Sequence, residues 1–132
     1  MVHILNLQTQ KRNQWIDITS LIEGFLQNFQ FKDGVAIIYC PHTTAGITIN
    51  ENADPDVCRD LLRRLDELCP WDMAQDRHGE GNSAAHLKAS LMGSSQTVIV
   101  KDGRLLLGRW QGVYFCEFDG PRSRQCFVKF IG

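Results

Sequence analysis

Four apolar, β-branched runs crowd the chain from residue 95 onward: SQTVIVK, RLLLG, GVYFCEF and RQCFVKF. Two of the links between them, KDG at Lys101–Gly103 and FDGPR at Phe118–Arg122, hold Asp-Gly and Gly-Pro dipeptides that reverse a chain within a few residues. Strands joined so briefly pair antiparallel, because a parallel pair needs a crossover of a dozen residues or more. That constraint favours a largely antiparallel sheet as the frame of the fold.

The upstream half supplies more strands and the helices. VHILNLQT and QWIDI (Gln14–Ile18) alternate apolar and polar residues, as half-buried strands do. GVAIIYC (Gly34–Cys40) is continuously apolar, which suits a buried strand, and Pro41 ends it. ITINEN alternates again, with Thr48 and Asn50 at its polar positions. Ser20 and Glu23 have the spacing of a capping box and start a helix through LIEGFLQNF. Asp54-Pro55 opens a second helix, with Val57, Leu61, Leu65 and Leu68 at helical spacing, and Pro70 stops it. Trp71–Gly81 reads as a long loop, and Asn82–Met92 as a third helix closed by Gly93. The pattern is that of one α+β domain over residues 1–132.

Composition limits what such a domain can do. A net charge of −1 leaves no basic footprint for nucleic acid, and Arg59, Arg63 and Arg64 alternate with acidic residues as on a solvated helix face. The five cysteines form no CxxC pair and sit mostly in apolar runs, which fits reduced thiols in a cytoplasmic protein. MVHILNLQTQ is too short and polar for a signal peptide, and no apolar run reaches membrane length.

Chemically capable residues gather in four short stretches: PHTTAG (Pro41–Gly46), NENADPD (Asn50–Asp56), HGEGNSAAH (His78–His86) and GRWQG (Gly108–Gly112). HGEGNSAAH is the most specific, because Asn82 and His86 share one helix face while His78 and Glu80 lie on the loop before the helix N-terminus. His42, His78 and His86 could supply imidazoles to a divalent metal, zinc or magnesium among the choices, with Glu80 or Asn82 completing the shell. Equally, Glu80 and His86 could serve as base and acid without metal. Thr43, Thr44, glycine-loop amides and Arg122 could receive phosphate oxygens. GxSxG, P-loop and GxGxxG patterns are absent, and Cys40 falls in a buried run where a thiol is inert.

On HTTAGITINENADPDV (His42–Val57), HGEGNSAAHLKASLMGSS (His78–Ser95) and GRWQGVYFCEFDGPRSR (Gly108–Arg124), the chain resembles the YjbQ family, also called the secondary thiamine-phosphate synthase family. The resemblance implies a small α+β homotrimer. It also implies a weak transferase activity that joins a pyrimidine diphosphate to a thiazole phosphate and releases pyrophosphate. His42, Glu51, His86 and Gln111 are then expected in catalysis. Thr43, Thr44, Asn50, Asp54, Asn82, Trp110 and Arg122 are expected around a small phosphorylated metabolite. The alternatives are a metal-dependent hydrolase of such a metabolite and a non-catalytic metal- or ligand-binding protein.

Overall fold

The structure, a computed structural model, describes residues 1–132. Its elements run β1 (His3–Gln8), β2 (Gln14–Asp17), α1 (Thr19–Asn28), β3 (Gly34–Tyr39), β4 (Ala45–Glu51), α2 (Pro55–Leu68), α3 (Ser83–Met92), β5 (Ser95–Lys101), β6 (Arg104–Leu105), β7 (Gln111–Glu117) and β8 (Ser123–Ile131). The strands form two sheets, a five-stranded one in the order β1-β8-β3-β5-β6 and a three-stranded one in the order β2-β7-β4. Every pairing is antiparallel. The fold class is therefore α+β as expected, with the single sheet resolved into two.

Strand alternation explains why there are two sheets. Along β7, Val113 and Phe115 face the larger sheet and join Ile18, Ile22, Ile38, Ile47, Val100 and Val128 in one core. The intervening Tyr114 and Cys116, with Phe118 beyond them, point the other way and pack under Leu65 of α2 and Ala85 and Ala89 of α3. The small sheet thus buries both faces, which accounts for the unbroken apolar run GVYFCEF. A side chain such as Phe115, wholly buried, contributes about 1.5–3 kcal/mol by leaving water.

Helix α3 lies close on β4 because its inward face is built from alanines and because β4 carries Gly46. A Cβ on Gly46 would stand 2.7 Å from the Gly93 carbonyl oxygen, whose acceptor role toward the Ile47 amide fixes that approach. Lys88 on the same helix is buried, its ammonium bonded to Asp66 of α2 and to Asn13. In the Asp102-Gly103 turn between β5 and β6, both residues have positive φ, at 53° and 78°, the conformation a two-residue hairpin requires.

Four local expectations are corrected. The FDGPR link closes no hairpin, because it carries the chain from β7 in the small sheet to β8 in the large one. The Ser20–Glu23 capping box does not form; Asp17 instead accepts from the Thr19 amide and hydroxyl, and Glu23 reaches Arg104 and the Leu105 amide. RLLLG is strand only at Arg104–Leu105, with one further backbone bond from the Leu106 amide to the Ile99 carbonyl. Leu68 is 76% exposed, since periodicity selects a helix face without fixing how far a partner surface extends along it. By contrast Asp54 caps α2 as read, accepting from the Asp56 amide at 2.9 Å with Pro55 at the first turn.

One polar contact ties the two sheets together. Glu117 (0% exposed) lies in the sandwich and accepts from Arg124 of β8 (6% exposed) through Nε at 2.7 Å and through Nη2. The Thr9 hydroxyl and the amides of Phe118 and Asp119 fill the remaining lone pairs of that carboxylate. Removing one partner strands a buried charge, so Glu117→Ala is expected to cost about 3–5 kcal/mol in urea denaturation. The double variant Glu117→Leu/Arg124→Met should lose less than Glu117→Ala alone. Equal losses would show that the charges do not act as a pair.

Candidate functional site

The same end of the sandwich gathers three connections: β3–β4 with His42, Thr43 and Thr44, β7–β8 with Asp119 and Arg122, and α2–α3 with His78, Glu80 and Asn82. Together with His86 of α3 they line a cleft of about 380 Å³ that presents no apolar side chain beyond Pro41. Two adjoining hollows, of about 560 and 510 Å³, each have His42 in their wall. The imidazole of His42 therefore stands where three depressions meet.

The cleft floor is held by hydrogen bonds rather than by packing. Arg124, fixed by Glu117, donates through Nη2 to the Thr44 hydroxyl at 2.8 Å and so anchors the HTT turn from below. Arg122 donates to the Asp119 carbonyl at 2.8 Å and to its carboxylate at 2.9 Å. The backbone amide of Arg122 in turn donates to the Thr9 hydroxyl at 2.8 Å. Asn82, only 5% exposed, donates its amide to the same Asp119 carboxylate at 2.8 Å. Its carbonyl oxygen is buried without a donor, an acceptor left open beside the cleft. Asn82 precedes α3 without capping it through its side chain.

His42 is half-buried and its Nε2 accepts the Gln125 amide at 2.9 Å. Burial first, and then the nearby Arg124 guanidinium, hold its pKa below the usual histidine value. Cys40 behind it is pushed up to about 11 by burial, which keeps the thiol protonated and fits its reading as inert. His78 and His86 meet edge to face with ring centroids 5.4 Å apart.

The expected residues divide into two groups. His42, Thr43, Thr44, His78, Glu80, Asn82, His86 and Arg122 converge on the cleft. Glu51, Asn50, Asp54, Trp110 and Gln111 do not. In the β4–β7 register Ala45 faces Glu117 while Glu51 faces Gln111, so six strand residues, about 20 Å at roughly 3.3 Å each, separate the two groups. At that far end the Gln111 side chain accepts the Gly108 amide at 2.7 Å, Asp54 caps α2, and Trp110 is 53% exposed with Arg109 over its ring. Their local tasks are turn closure and capping.

The three-imidazole metal set also needs correction. No three of the chain's His, Cys, Asp and Glu side chains converge closely enough to hold an ion. His42 in particular has its Nε2 lone pair occupied by a backbone N–H. The residues present do not fit a His42–His78–His86 centre.

Thr9 and Arg124 are the site-building residues absent from the motif reading, while Glu117 and Asp119, on the strand and turn that follow GRWQG, stood in it without an assigned role. Inward parity along GVYFCEF could have flagged Glu117 as a carboxylate with apolar neighbours, a position that demands a cationic partner.

Over residues 3–132 the chain matches the family described as "UPF0047 protein YjbQ-like". It is 61% identical to the UPF0047 protein YugU of Bacillus subtilis, over all of both chains. It is 53% identical to a UPF0047 protein of Methanocaldococcus jannaschii, covering 100% of this chain and 95% of the relative. Among solved structures, a YjbQ/UPF0047 family protein of Clostridium acetobutylicum superposes with a TM-score of 0.94 at 56% identity, covering 98% of this chain and 99% of that one. A YbjQ-like protein of unknown function from Sulfolobus solfataricus also gives 0.94, at 28% identity, covering 100% and 96%.

Two histidines, His42 and His3, are held neutral chiefly by burial. The unfolded chain takes up protons on them near pH 6.5 while the folded chain resists, so their contribution to stability is present above that pH and lost as pH falls below it. Thermal melts between about pH 7.5 and 5.5 should show a falling Tm, with a shallower slope in His42→Gln. A profile that is flat in the wild-type protein contradicts this account.

Proposed function

The chain belongs to the YjbQ-like UPF0047 family, and we propose that its polar cleft binds a small phosphorylated metabolite and supports a weak thiamine-phosphate-synthase-type transfer. The observation that carries the reading is the cleft lining: hydrogen-bond donors and charged groups from three connections, with no apolar wall. Such a surface suits a compact, strongly ionised ligand rather than a hydrophobic one. Arg122 and the Thr43 hydroxyl are the donors that would meet phosphoryl oxygens.

In this reaction the thiazole ring nitrogen shares its lone pair with the methylene carbon of the pyrimidine. The carbon–oxygen bond to the diphosphate breaks, and its electron pair leaves on the pyrophosphate oxygen. No protein nucleophile is consumed, in keeping with a cleft that contains no serine and no cysteine among its lining side chains. The chain's task is to hold both phosphorylated reactants in line and to stabilise negative charge growing on the leaving group. Donors fixed beforehand do that best, because they need not reorganise during the reaction. The hydrogen bonds that Arg122 donates to Asp119 and Arg124 donates to Thr44 fix this end of the sandwich in advance.

Self-association belongs to the same proposal. The outward face of the larger sheet carries Ile4, Tyr39 and Ile99, all exposed, with Phe127 between Ile4 and Tyr39 in the strand register. An uncovered apolar sheet face of this kind fits an interface between copies, and a trimer is the state the family resemblance implies. No helix is long and apolar enough to cross a membrane. Ligand binding without turnover is the second reading, favoured by the distance that keeps Glu51 and Gln111 from the cleft.

Steady-state assay of the purified protein with both phosphorylated precursors and Mg²⁺ should give product above background. Arg122→Gln is expected to lower kcat/KM by about tenfold or more, the worth of a charge-assisted hydrogen bond. Calorimetric binding of the precursors with no product would replace catalysis by binding alone. Sedimentation should give a trimer that Tyr39→Glu/Phe127→Asp dissociates, and a monomeric wild-type protein would remove the assembly part of the proposal.

A further inference from the structure

Strand β8 pairs with β1 over Ser123–Val128, but with β3 only from Phe127 onward, where Tyr39 is its partner. Continued by two residues, that register would set Gln125 opposite Pro41, where the chain has already left the sheet. The Gln125 amide would be an orphan donor at the end of β3. It is satisfied by the His42 ring instead, through Nε2 at 2.9 Å.

The bond fixes the chemistry of the ring. A backbone amide can only donate, and the pairing of β8 with β1 prevents it from turning away. Nε2 must therefore keep its lone pair, and the single proton of the neutral imidazole sits on Nδ1. Protonating Nε2 would set two N–H groups head to head. Nδ1 has no hydrogen-bond partner in the chain, yet it is not among the buried atoms left without one, so it opens onto the hollows that meet at His42. Buried Arg124 nearby adds a positive charge that opposes a second one on the ring.

We infer that His42 is a fixed, neutral hydrogen-bond donor whose Nδ1–H meets an anionic oxygen of the ligand, and that it is neither a metal ligand nor a proton acceptor. A metal at Nδ1 would have to displace the ring's only proton while Nε2 stayed occupied. Donation, in contrast, costs no rearrangement and strengthens as negative charge grows on the oxygen. A neutral imidazole that polarises an oxygen is a known solution in enzymes, as in triosephosphate isomerase. The inference rests on the cleft proposed above and assigns one of its groups to the diphosphate oxygens.

The test uses the full-length protein labelled with ¹⁵N-histidine. Two-bond ¹H–¹⁵N spectra of the ligand-free protein should show His42 with the proton on Nδ1 and an unprotonated Nε2 from about pH 8 to 6. Added Zn²⁺ should leave the His42 signals in place. Inorganic pyrophosphate should shift the His42 Nδ1–H signal and slow its exchange with water. In calorimetry His42→Asn, which keeps a donor near the δ position, should retain pyrophosphate affinity better than His42→Phe, which should lose about tenfold or more. A proton on Nε2, zinc bound to the ring, or pyrophosphate that fails to bind or binds without moving these signals would overturn the inference. The tautomer is read without turnover: its presence in a protein that makes no product removes the synthase reading alone, and its absence in an active protein removes this inference alone.

Discussion

The buried pairing of Glu117 with Arg124 is the contact on which the rest of this molecule depends. Glu117 closes one strand of the small sheet and Arg124 opens the last strand of the large one, so their bond joins the two layers at one end of the sandwich. Two charges withdrawn from water are tolerable only when every remaining lone pair is met. Here Thr9 and two consecutive amides complete the carboxylate. The leftover reach of Arg124 goes to Thr44 and thereby to the HTT turn. Structural cohesion and the shape of the cleft come from one network.

That network explains why the polar side chains of the cleft sit on connections yet are not free to wander. Asp119 is gripped by Arg122 and Asn82, and His42 is clamped to the Gln125 amide. Loops positioned by a rigid scaffold are where binding groups concentrate, and here the scaffold reaches into the loops through hydrogen bonds. The arrangement suits a site that must present donors to an anion without reorganising.

The far end of the small sheet is a different place. Glu51, Gln111 and Trp110 are polar or exposed and stand on a motif-like stretch, but one strand length divides them from the histidines. Within a single chain the two ends act separately, with Gln111 closing a turn and Asp54 capping a helix. Short motifs can share a family signature without sharing a cavity, because the signature records both chemistry and the construction of turns and caps.

Much of this was legible in the residues themselves. Period-two alternation, Asp-Gly and Gly-Pro links, the Asp54-Pro55 cap and the Gly93 stop placed nearly every element, because those signals act through backbone geometry within a few residues. Convergence of HTT with HGEGNSAAH was readable as chemistry seeking a partner. Tertiary structure alone decided that there would be two sheets, that Glu51 and Gln111 would lie at the opposite end, and that Nε2 of His42 would be spent on a strand amide. Each of these turns on register between segments distant in sequence, as when residue 42 meets residue 125. A linear pattern specifies which groups are available, while the pairing of strands far apart in the chain settles which of them meet.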